Sequence, residues 1–461
     1  MSWLDMLQHQ TRQLGQRALD QQLRLGITGL SGAGKTAFIT SLVHQLCSGD
    51  LPEHLPFFEV VQQGRYLGGR LSNEQPLSIP RFAYERNLAS LLGNPASWPV
   101  STIGWSQLDL QLRYKPRNRL RASISHHSEL HLQIIDYPGE WLLDLPLLRQ
   151  SYQQWCEFSW QLFRQPHRQA LSAPFAKRLA ALNLQDASVP QLQQLAAEYA
   201  ELLTQFRQLA GTYLNQPGRL LVPGELAGAP MLQLLPLLPE QLAQASPLLN
   251  KLSEHYSSYC QFVVKPFYKQ HFASIDRQVV LVDCLSALNA GHAAMAELQQ
   301  ALALIMQSFQ YGPSSLLRRL FQPRISRVLF AATKADHVTP EQHKALTLLL
   351  QQLLQQPIKH SHYAAAHSEV MALAAIRASS SGTVRQDGQL QLCISGLQRS
   401  DSLLVTLFPG EVPASLPPAE LYQQHHFAFP DFLPPAVALQ QPLPHVRMDH
   451  ALQYLLGDKL R

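Results

Sequence analysis

The sequence predicts an α/β protein: a mostly parallel sheet with one antiparallel strand, and an α-helical domain inserted within the chain. Three observations carry this. An apolar strand runs into a glycine-rich turn and a helix start across residues 25–36. Further apolar runs, at 130–136, 277–283 and 327–336, each end at an aspartate. Between the runs at 130–136 and 277–283, residues 142–275 carry long helical patterns and no convincing strand. The expected order is an N-terminal helix (1–22), a discontinuous sheet core (23–140 and 276–400), the inserted helical domain (141–275) and a proline-rich extension ending in a helix (401–461).

Residues 2–21 read as a helix with a thin apolar stripe of Trp3, Leu4, Leu7, Leu14 and Ala18. Docking on the protein's own body is the first reading. Peripheral membrane contact is the second, weakened by a polar face that is not strongly basic. Leu23 to Thr28 is the first strand. It leads into Gly29-Leu30-Ser31-Gly32-Ala33-Gly34-Lys35-Thr36, which satisfies G-x-x-x-x-G-K-[ST], the phosphate-binding loop of P-loop nucleotide hydrolases. The glycines let the backbone take positive φ and approach a ligand without a Cβ in the way. The N–H groups of Ser31 to Ala37 then point at phosphate oxygens, and the following helix aims its positive dipole end at the same place. Lys35 would neutralise the β- and γ-phosphates, and the Thr36 hydroxyl would ligate Mg²⁺.

Residues 48–105 are longer than an ordinary connection and hold one short helix near 82–92. Gln107 to Arg113 alternates Leu108, Leu110 and Leu112 with polar residues, a strand with one wet face near a sheet edge. A basic turn (Lys115, Arg117, Arg119, Arg121) joins it to the strand Leu130–Asp136, and the two are expected to pair antiparallel. The turn reads as a solvated loop. Asp136-Tyr137-Pro138-Gly139 fits D-x-x-G at the end of a strand. There Asp136 would reach Mg²⁺ through water, the Gly139 N–H would bond a γ-phosphate, and Glu140 stands where a water-orienting residue belongs. Thr102 is the third candidate metal ligand, because it lies just before the strand that pairs with the Asp136 strand; Ser101 is a rival.

Helical patterns then run from Leu145 to Phe163, Val189 to Tyr213 and Leu238 to Phe272, with a Pro/Gly-rich bridge at 216–230. The sheet returns at Arg277–Asp283, an apolar run typical of a buried parallel strand, and a helix follows near 292–309. The next strand ends in Thr333-Lys334-Ala335-Asp336, a T-K-x-D variant of the N-K-x-D pattern that reads guanine. A carboxylate accepts from both the N1–H and the 2-amino group of guanine, donors that adenine lacks there. The Lys334 stem can lie on the base, and Thr333 braces the loop. A last core strand at Val370–Arg377 is expected to bring Ala375 and Ile376 to the base. A hairpin around Asp387-Gly388, irregular chain from Pro409 to Pro444 and a helix at Asp449–Leu460 complete the reading.

Composition sets bounds on function. Apolar content of 46% with 15% charged residues describes a folded domain protein, and 461 residues call for more than one core. A net charge of +5 is too mild and too spread to make a convincing nucleic-acid site. Five scattered cysteines fit reduced thiols in a cytoplasm. No run is apolar enough to span a bilayer, and the N-terminus has no secretory pattern.

The phosphate loop, Asp136-Tyr137-Pro138-Gly139-Glu140-Trp141, the block from Pro266-Phe267 to Asp283, Leu288-Asn289-Ala290-Gly291, Thr333-Lys334-Ala335-Asp336 and Leu456-Gly457-Asp458-Lys459-Leu460 resemble the bacterial YcjX-like proteins. The resemblance spans nearly the whole chain. It implies a cytoplasmic, stress-associated GTPase with a helical domain inserted in a Ras-like core. The expected activity is slow hydrolysis of GTP to GDP with Mg²⁺, Lys35, Gly139 and Glu140 acting at the γ-phosphate. The alternatives are a regulatory module that binds nucleotide with negligible turnover and an ATPase on the same loop. The sequence names no protein effector.

Overall fold

A computed structural model describes residues 22–30, 32–48, 53–72, 79–100, 104–117, 126–209, 211–309, 325–360, 367–386, 388–438 and 441–461. The expected N-terminal helix, Ser31, Thr102 and its rival Ser101, and Arg119 and Arg121 of the basic turn lie outside the described residues.

Seven strands make the central sheet: β1 (Gln22–Gly29), β2 (Tyr66–Leu71), β3 (Ser106–Tyr114), β4 (Ser128–Asp136), β5 (Arg277–Val282), β6 (Arg327–Ala332) and β7 (His367–Ala372). Their order is β2-β3-β4-β1-β5-β6-β7. β3 pairs antiparallel with both neighbours, and the other pairs are parallel, so β3 is the strand that runs against the rest. Burial explains the patterns read from sequence. β5 is buried at every residue, and β1 at every residue but Arg24, as strands covered on both faces must be. β3 buries Leu108, Leu110 and Leu112 and leaves Asp109, Gln111 and Arg113 wetter. It lies one place in from the edge. The edge strand is β2, which sequence reading missed because Gly68-Gly69 removes the β-branched signal.

The two faces of the sheet carry different cores. Val279, Leu281, Leu329 and Ala331 pack with Phe38 and Leu42 of the helix Lys35–Cys47 and with Leu452 and Leu455 of the helix Met448–Leu456. Val280, Val282, Val328 and Phe330 face Leu298 and Leu302 of His292–Ser308 and Leu346 and Leu350 of His343–His360. That second core continues without a break into residues 142–275. The final helix stops at Leu456, short of the expected Leu460. The turn after it is used as a clamp: Asp458 takes both guanidinium nitrogens of the buried Arg277, at 2.5 and 2.7 Å. Burial alone would push the Asp458 carboxyl up, but Arg277 and Arg327 hold it below its ordinary value.

The segment after β4 up to β5 holds helices and no strand among its described residues, but it is more broken than periodicity suggests. Gly139–Arg149 is a buried 3-10 run containing Pro146, and a new helix, Tyr152–Phe163, starts at a capping box formed by Ser151 and Gln154. The span read as one helix from Leu145 to Phe163 is therefore two elements. Pro166–Ala180 is a further helix of this segment, with Pro174 inside it. Val189–Gln208 starts at a second capping box, Ser188 with Gln191. The stretch 238–272 breaks at Ser246, which caps Pro247–Tyr259, and again at a π turn over Cys260–Val264. A helix at Cys284–Ala290, capped by the Asp283 side chain, also escaped the pattern. β7 ends at Ala372, not Arg377, which leaves Ala374 to Ile376 as a loop. Beyond it β8 (Ser379–Gln386), β9 (Gln389–Leu397) and β10 (Leu404–Leu407) form a separate antiparallel sheet. β10 pairs with β9 across residue 400, so a boundary drawn there cuts this sheet.

Register aligns the ends of the parallel strands. Ile27 stands beside Asp136 and Val279, Val282 beside Ala332, and Ala332 beside Ala372. Sheet order reverses at β1, with β2 to β4 on one side and β5 to β7 on the other. The crevice outside the carboxyl ends at such a reversal is where open α/β sheets hold ligands.

Candidate functional site

At the end of β1 the chain turns through Gly32 (φ 82°) and Gly34 (φ 78°) into the helix beginning at Lys35. A Cβ at either glycine would meet nothing within 4 Å. The demand for glycine is therefore the left-handed backbone itself, which costs other residues roughly 1–2 kcal/mol. The Lys35 ammonium donates to Asp136 Oδ1, which is wholly buried at the end of β4. Ser106 Oγ lies 3.4 Å from the other Asp136 oxygen. The D-x-x-G glycine is pressed against the phosphate loop: a Cβ on Gly139 would run into the Gly29 carbonyl oxygen. Glu140, next in the chain, is buried, and Arg207 Nη2 stands 3.2 Å from its Oε1. That oxygen accepts no hydrogen bond of ordinary geometry among the described residues.

The second end of the site is built at the ends of β5, β6 and β7. Thr333 donates from its N–H and its hydroxyl to the Val282 carbonyl, at 2.9 and 3.3 Å. Lys334 takes a left-handed conformation, φ 59°. Its ammonium pairs with Asp283 at 2.9 Å and reaches Asp431 at 3.5 Å. Burial works against the Lys334 charge, yet the two carboxylates raise its pKa overall; Asp283 is correspondingly held below its ordinary value despite burial. Asp336 is oriented by its neighbours: Ala378 N–H donates to Oδ2 at 2.6 Å, and the Ser379 hydroxyl donates to the Asp336 carbonyl. Ala375 is tied to the first end, since its carbonyl accepts from Ser41 Oγ of the helix Lys35–Cys47 at 2.6 Å.

One cleft of about 340 Å³ joins the two ends. Gly32, Ala33, Gly34, Lys35, Thr36, Ala37, Glu140, Thr333, Lys334, Asp336, Ala375 and Ile376 all line it. Gly139 lies between two lining residues, Pro138 and Glu140. Ser31 and Thr102 lie outside the described residues. Sequence reading missed Arg207, Arg399 and Asp431 in the lining, and Trp98 lines it too. Trp98 is fixed by its indole N–H to the Phe432 carbonyl at 2.8 Å, and Asp431 pairs with Arg399 at 3.2 Å. None belongs to a local motif; each reaches the cleft through a contact distant in sequence.

The donor set at the phosphate end is hard oxygen, the Thr36 hydroxyl and the Asp136 carboxylate, which fits Mg²⁺. Among the described residues no three His, Cys, Asp or Glu side chains come together as a metal cage. A cation held by Thr36 and Asp136 would draw the rest of its shell from phosphate and water oxygens, as is usual for Mg²⁺.

Comparison with known proteins follows the same lines. The chain matches the model of the YcjX-like family, DUF463, over residues 23–460. It is 44% identical over 486 aligned residues to a Shewanella oneidensis protein named Ras-like GTPase YcjX, with all of both chains covered. A protein of the same name from Escherichia coli K12 is 41% identical over 465 residues, with 99% of each chain covered.

Proposed function

This chain belongs to the YcjX-like family, and on that premise we propose that it binds guanine nucleotide and slowly hydrolyses GTP to GDP and phosphate. The observation that carries the reading is the single cleft shared by the phosphate loop, the Asp136–Glu140 turn and Asp336. The Lys35 ammonium is paired with the Asp136 carboxylate. An arriving polyphosphate would draw the Lys35 ammonium away and leave Asp136 free to receive a cation. Mg²⁺, when bound, would offset charge on the β- and γ-phosphate oxygens. The phosphate-loop N–H groups cradle those oxygens, the Gly139 N–H bonds the γ-phosphate, and Glu140 orients water. At the far end Asp336 accepts from guanine, the Lys334 stem covers the base, and Ala375 and Ile376 close over it. Because Lys334 is already clamped by Asp283, its stem is set before the ligand arrives.

We read residues 141–275 as an inserted helical domain and the whole as a cytoplasmic, stress-related switch; the wide, buried contact of the insertion with the core supports a device that responds to nucleotide. Turnover separates this from a binding module, and Asp336 argues against an ATPase. The test is the nucleotide content of the purified protein by chromatography, followed by single-turnover hydrolysis of GTP and ATP with Mg²⁺. Guanine nucleotide retained, with GTP cleaved in preference to ATP, is the expected result. Adenine nucleotide, or none with no GTP cleavage, overturns the reading.

A further inference from the structure

We infer that Arg207, carried by the insertion, is a catalytic residue supplied in cis that contacts the γ-phosphoryl oxygens of GTP. The inference rests on the GTPase reading above and adds a residue to that site.

Four observations carry it. Arg207 lies in the last turn of Val189–Gln208, far in sequence from the phosphate loop, yet it lines the same cleft as Lys35 and Thr36. Its side chain is 32% exposed, so the guanidinium is partly withdrawn from water. Among the described residues its nearest carboxylate is Glu140, at 3.2 Å. Glu140 follows Gly139, which rests on the Gly29 carbonyl, so this contact fixes the guanidinium at the phosphate end of the cleft and not at the base end.

The helix end that carries Arg207 is bolted to the core. Phe206 is fully buried under the guanidinium of Arg168, 4.7 Å from its ring centre. Arg168 is itself buried and pairs with Glu297 of the core helix His292–Ser308 at 2.7 Å. The same Glu297 carboxylate accepts from Tyr213 N–H at 2.9 Å and Leu214 N–H at 3.2 Å. A residue held in this way is preorganised toward the site.

A guanidinium carries five donors in a plane. It can keep Glu140 on one edge and offer the other to phosphate oxygens. In hydrolysis the oxygen of water bonds to the γ-phosphorus while the bond to the β–γ bridging oxygen breaks. GDP keeps that electron pair, and both water protons leave with the phosphate as H₂PO₄⁻. Charge shifts toward the bridging and γ-oxygens as this happens, and a fixed cation beside them lowers the barrier. Glu140 alone beside the γ-phosphate would add repulsion; Arg207 offsets it. The competing account is that Arg207 only neutralises a buried Glu140.

The experiment compares wild type with Arg207→Ala, Arg207→Lys, Glu140→Gln and the double variant Arg207→Ala/Glu140→Gln. It measures GDP affinity by calorimetry, single-turnover GTP cleavage with Mg²⁺, and binding of GDP with aluminium fluoride, a mimic of the transferring phosphoryl group. Intrinsic rates with and without a cis arginine, about 10⁻² against about 4 × 10⁻⁴ per second, set the expected loss at roughly 25-fold for Arg207→Ala. GDP affinity should be unchanged and the fluoride complex lost. Arg207→Lys keeps the charge beside Glu140 but not the planar fork, so it should fold as wild type and still lose the fluoride complex; it decides the matter if Arg207→Ala does not fold. Removing the Glu140 charge should not restore the fluoride complex to Arg207→Ala; because Glu140 also orients water, turnover of the double variant is read against that of Glu140→Gln alone. Wild-type turnover and fluoride binding in the Ala or Lys variant, or recovery in the double variant, would leave Arg207 a mere partner of Glu140 while the GTPase reading stands. A wild type that binds no guanine nucleotide overturns both.

Discussion

Asp336 offers the sharpest test of what this cleft reads, because its geometry separates recognition from folding. One carboxylate oxygen accepts from the Ala378 N–H at 2.6 Å, which fixes the plane of the group. The carboxylate is 5% exposed and lines the cleft, with lone pairs left for a ligand. Guanine would fill them with its N1–H and 2-amino donors. Hydrogen bonds to a charged acceptor contribute ~1.5–3 kcal/mol each, so the pair amounts to ~3–6 kcal/mol. That is a preference of about 10²–10⁴-fold for GDP over ADP. Asp336→Ala should erase it, but also strands the buried Ala378 N–H at a folding cost of ~1–3 kcal/mol. Asp336→Asn avoids this complication. Its amide oxygen can still accept from Ala378, while its NH₂ turns a former acceptor into a donor. Guanine then sets its 2-amino group against another donor, whereas xanthine presents a carbonyl at that position. The asparagine variant should therefore lose GDP and gain xanthosine diphosphate, with thermal stability near wild type. Competition calorimetry with GDP, ADP and xanthosine diphosphate measures all three. Equal affinity of the wild type for GDP and ADP, or an unaltered ranking in Asp336→Asn, refutes the reasoning.

Glu140→Ala should change single-turnover GTP cleavage and leave GDP affinity alone; if turnover is the same, Glu140 is no more than a buried acid at a helix start, where the dipole favours it. Acid should weaken the fold through His271, whose pKa burial pushes from 6.5 down to about 4, with Arg219 adding to the shift. A base with a depressed folded pKa gives stability that is complete above its unfolded value and lost as pH falls toward the folded one; from about pH 7.5 to about pH 5 this is ~2 kcal/mol. His271→Phe keeps a ring against Trp105, now 4.2 Å away, and should flatten that part of the denaturation profile; an unchanged slope assigns the acid sensitivity elsewhere. Intrinsic fluorescence should distinguish a non-hydrolysable GTP analogue from GDP, and Trp141→Phe should remove part of the difference. Identical spectra together with identical proteolysis across 140–165 in the two states would make the insertion a passive cover.

The residues legible in the sequence are those whose spacing is fixed by a ligand. Gly34-Lys35-Thr36, Asp136 and Asp336 each sit at or just past a strand end, where the proposed reading has a phosphate, a cation and a base met, and local spacing encodes that placement. The buried parallel strands were legible too, since β5 and β6 have no wet face to blur their apolar runs. What escaped was set by contacts across the chain. β2 is held by pairing with β3 and not by its own Tyr-Leu-Gly-Gly composition. The breaks at Ser151 and Ser246 were marked by capping residues, yet the apolar stripe ran through them and hid the boundary. Arg207 is one arginine on an amphipathic helix until Arg168, Glu297 and Phe206 fix where that helix ends.

The same contacts bear on how a γ-phosphate could be felt beyond the cleft. Five residues after Gly139, Asp144 is buried and accepts from Gly218 N–H at 2.7 Å, Arg219 N–H at 3.2 Å and the Tyr259 hydroxyl at 2.7 Å. Gly218 is packed so closely on the Glu140 carbonyl that a Cβ would collide with it. The Trp141 indole donates to the Val222 carbonyl at 2.8 Å, and the Arg219 guanidinium lies 3.3 Å over its ring centre. Residues 218–222 thus grip the chain directly after Gly139, the proposed γ-phosphate contact, on both sides. Interiors this dense do not absorb a shift of their backbone; they pass it to whatever is packed against them. A ligand moves such an assembly only through contacts that differ between its states, and the γ-phosphate is the group by which GTP differs from GDP. A displacement of Gly139 toward that phosphate must therefore either carry Asp144, Trp141 and residues 218–222 with it or break the buried hydrogen bonds that join them. Each such bond costs ~1–3 kcal/mol to leave unmade, so these bonds oppose any displacement of Gly139 that residues 141–144 and 218–222 do not share.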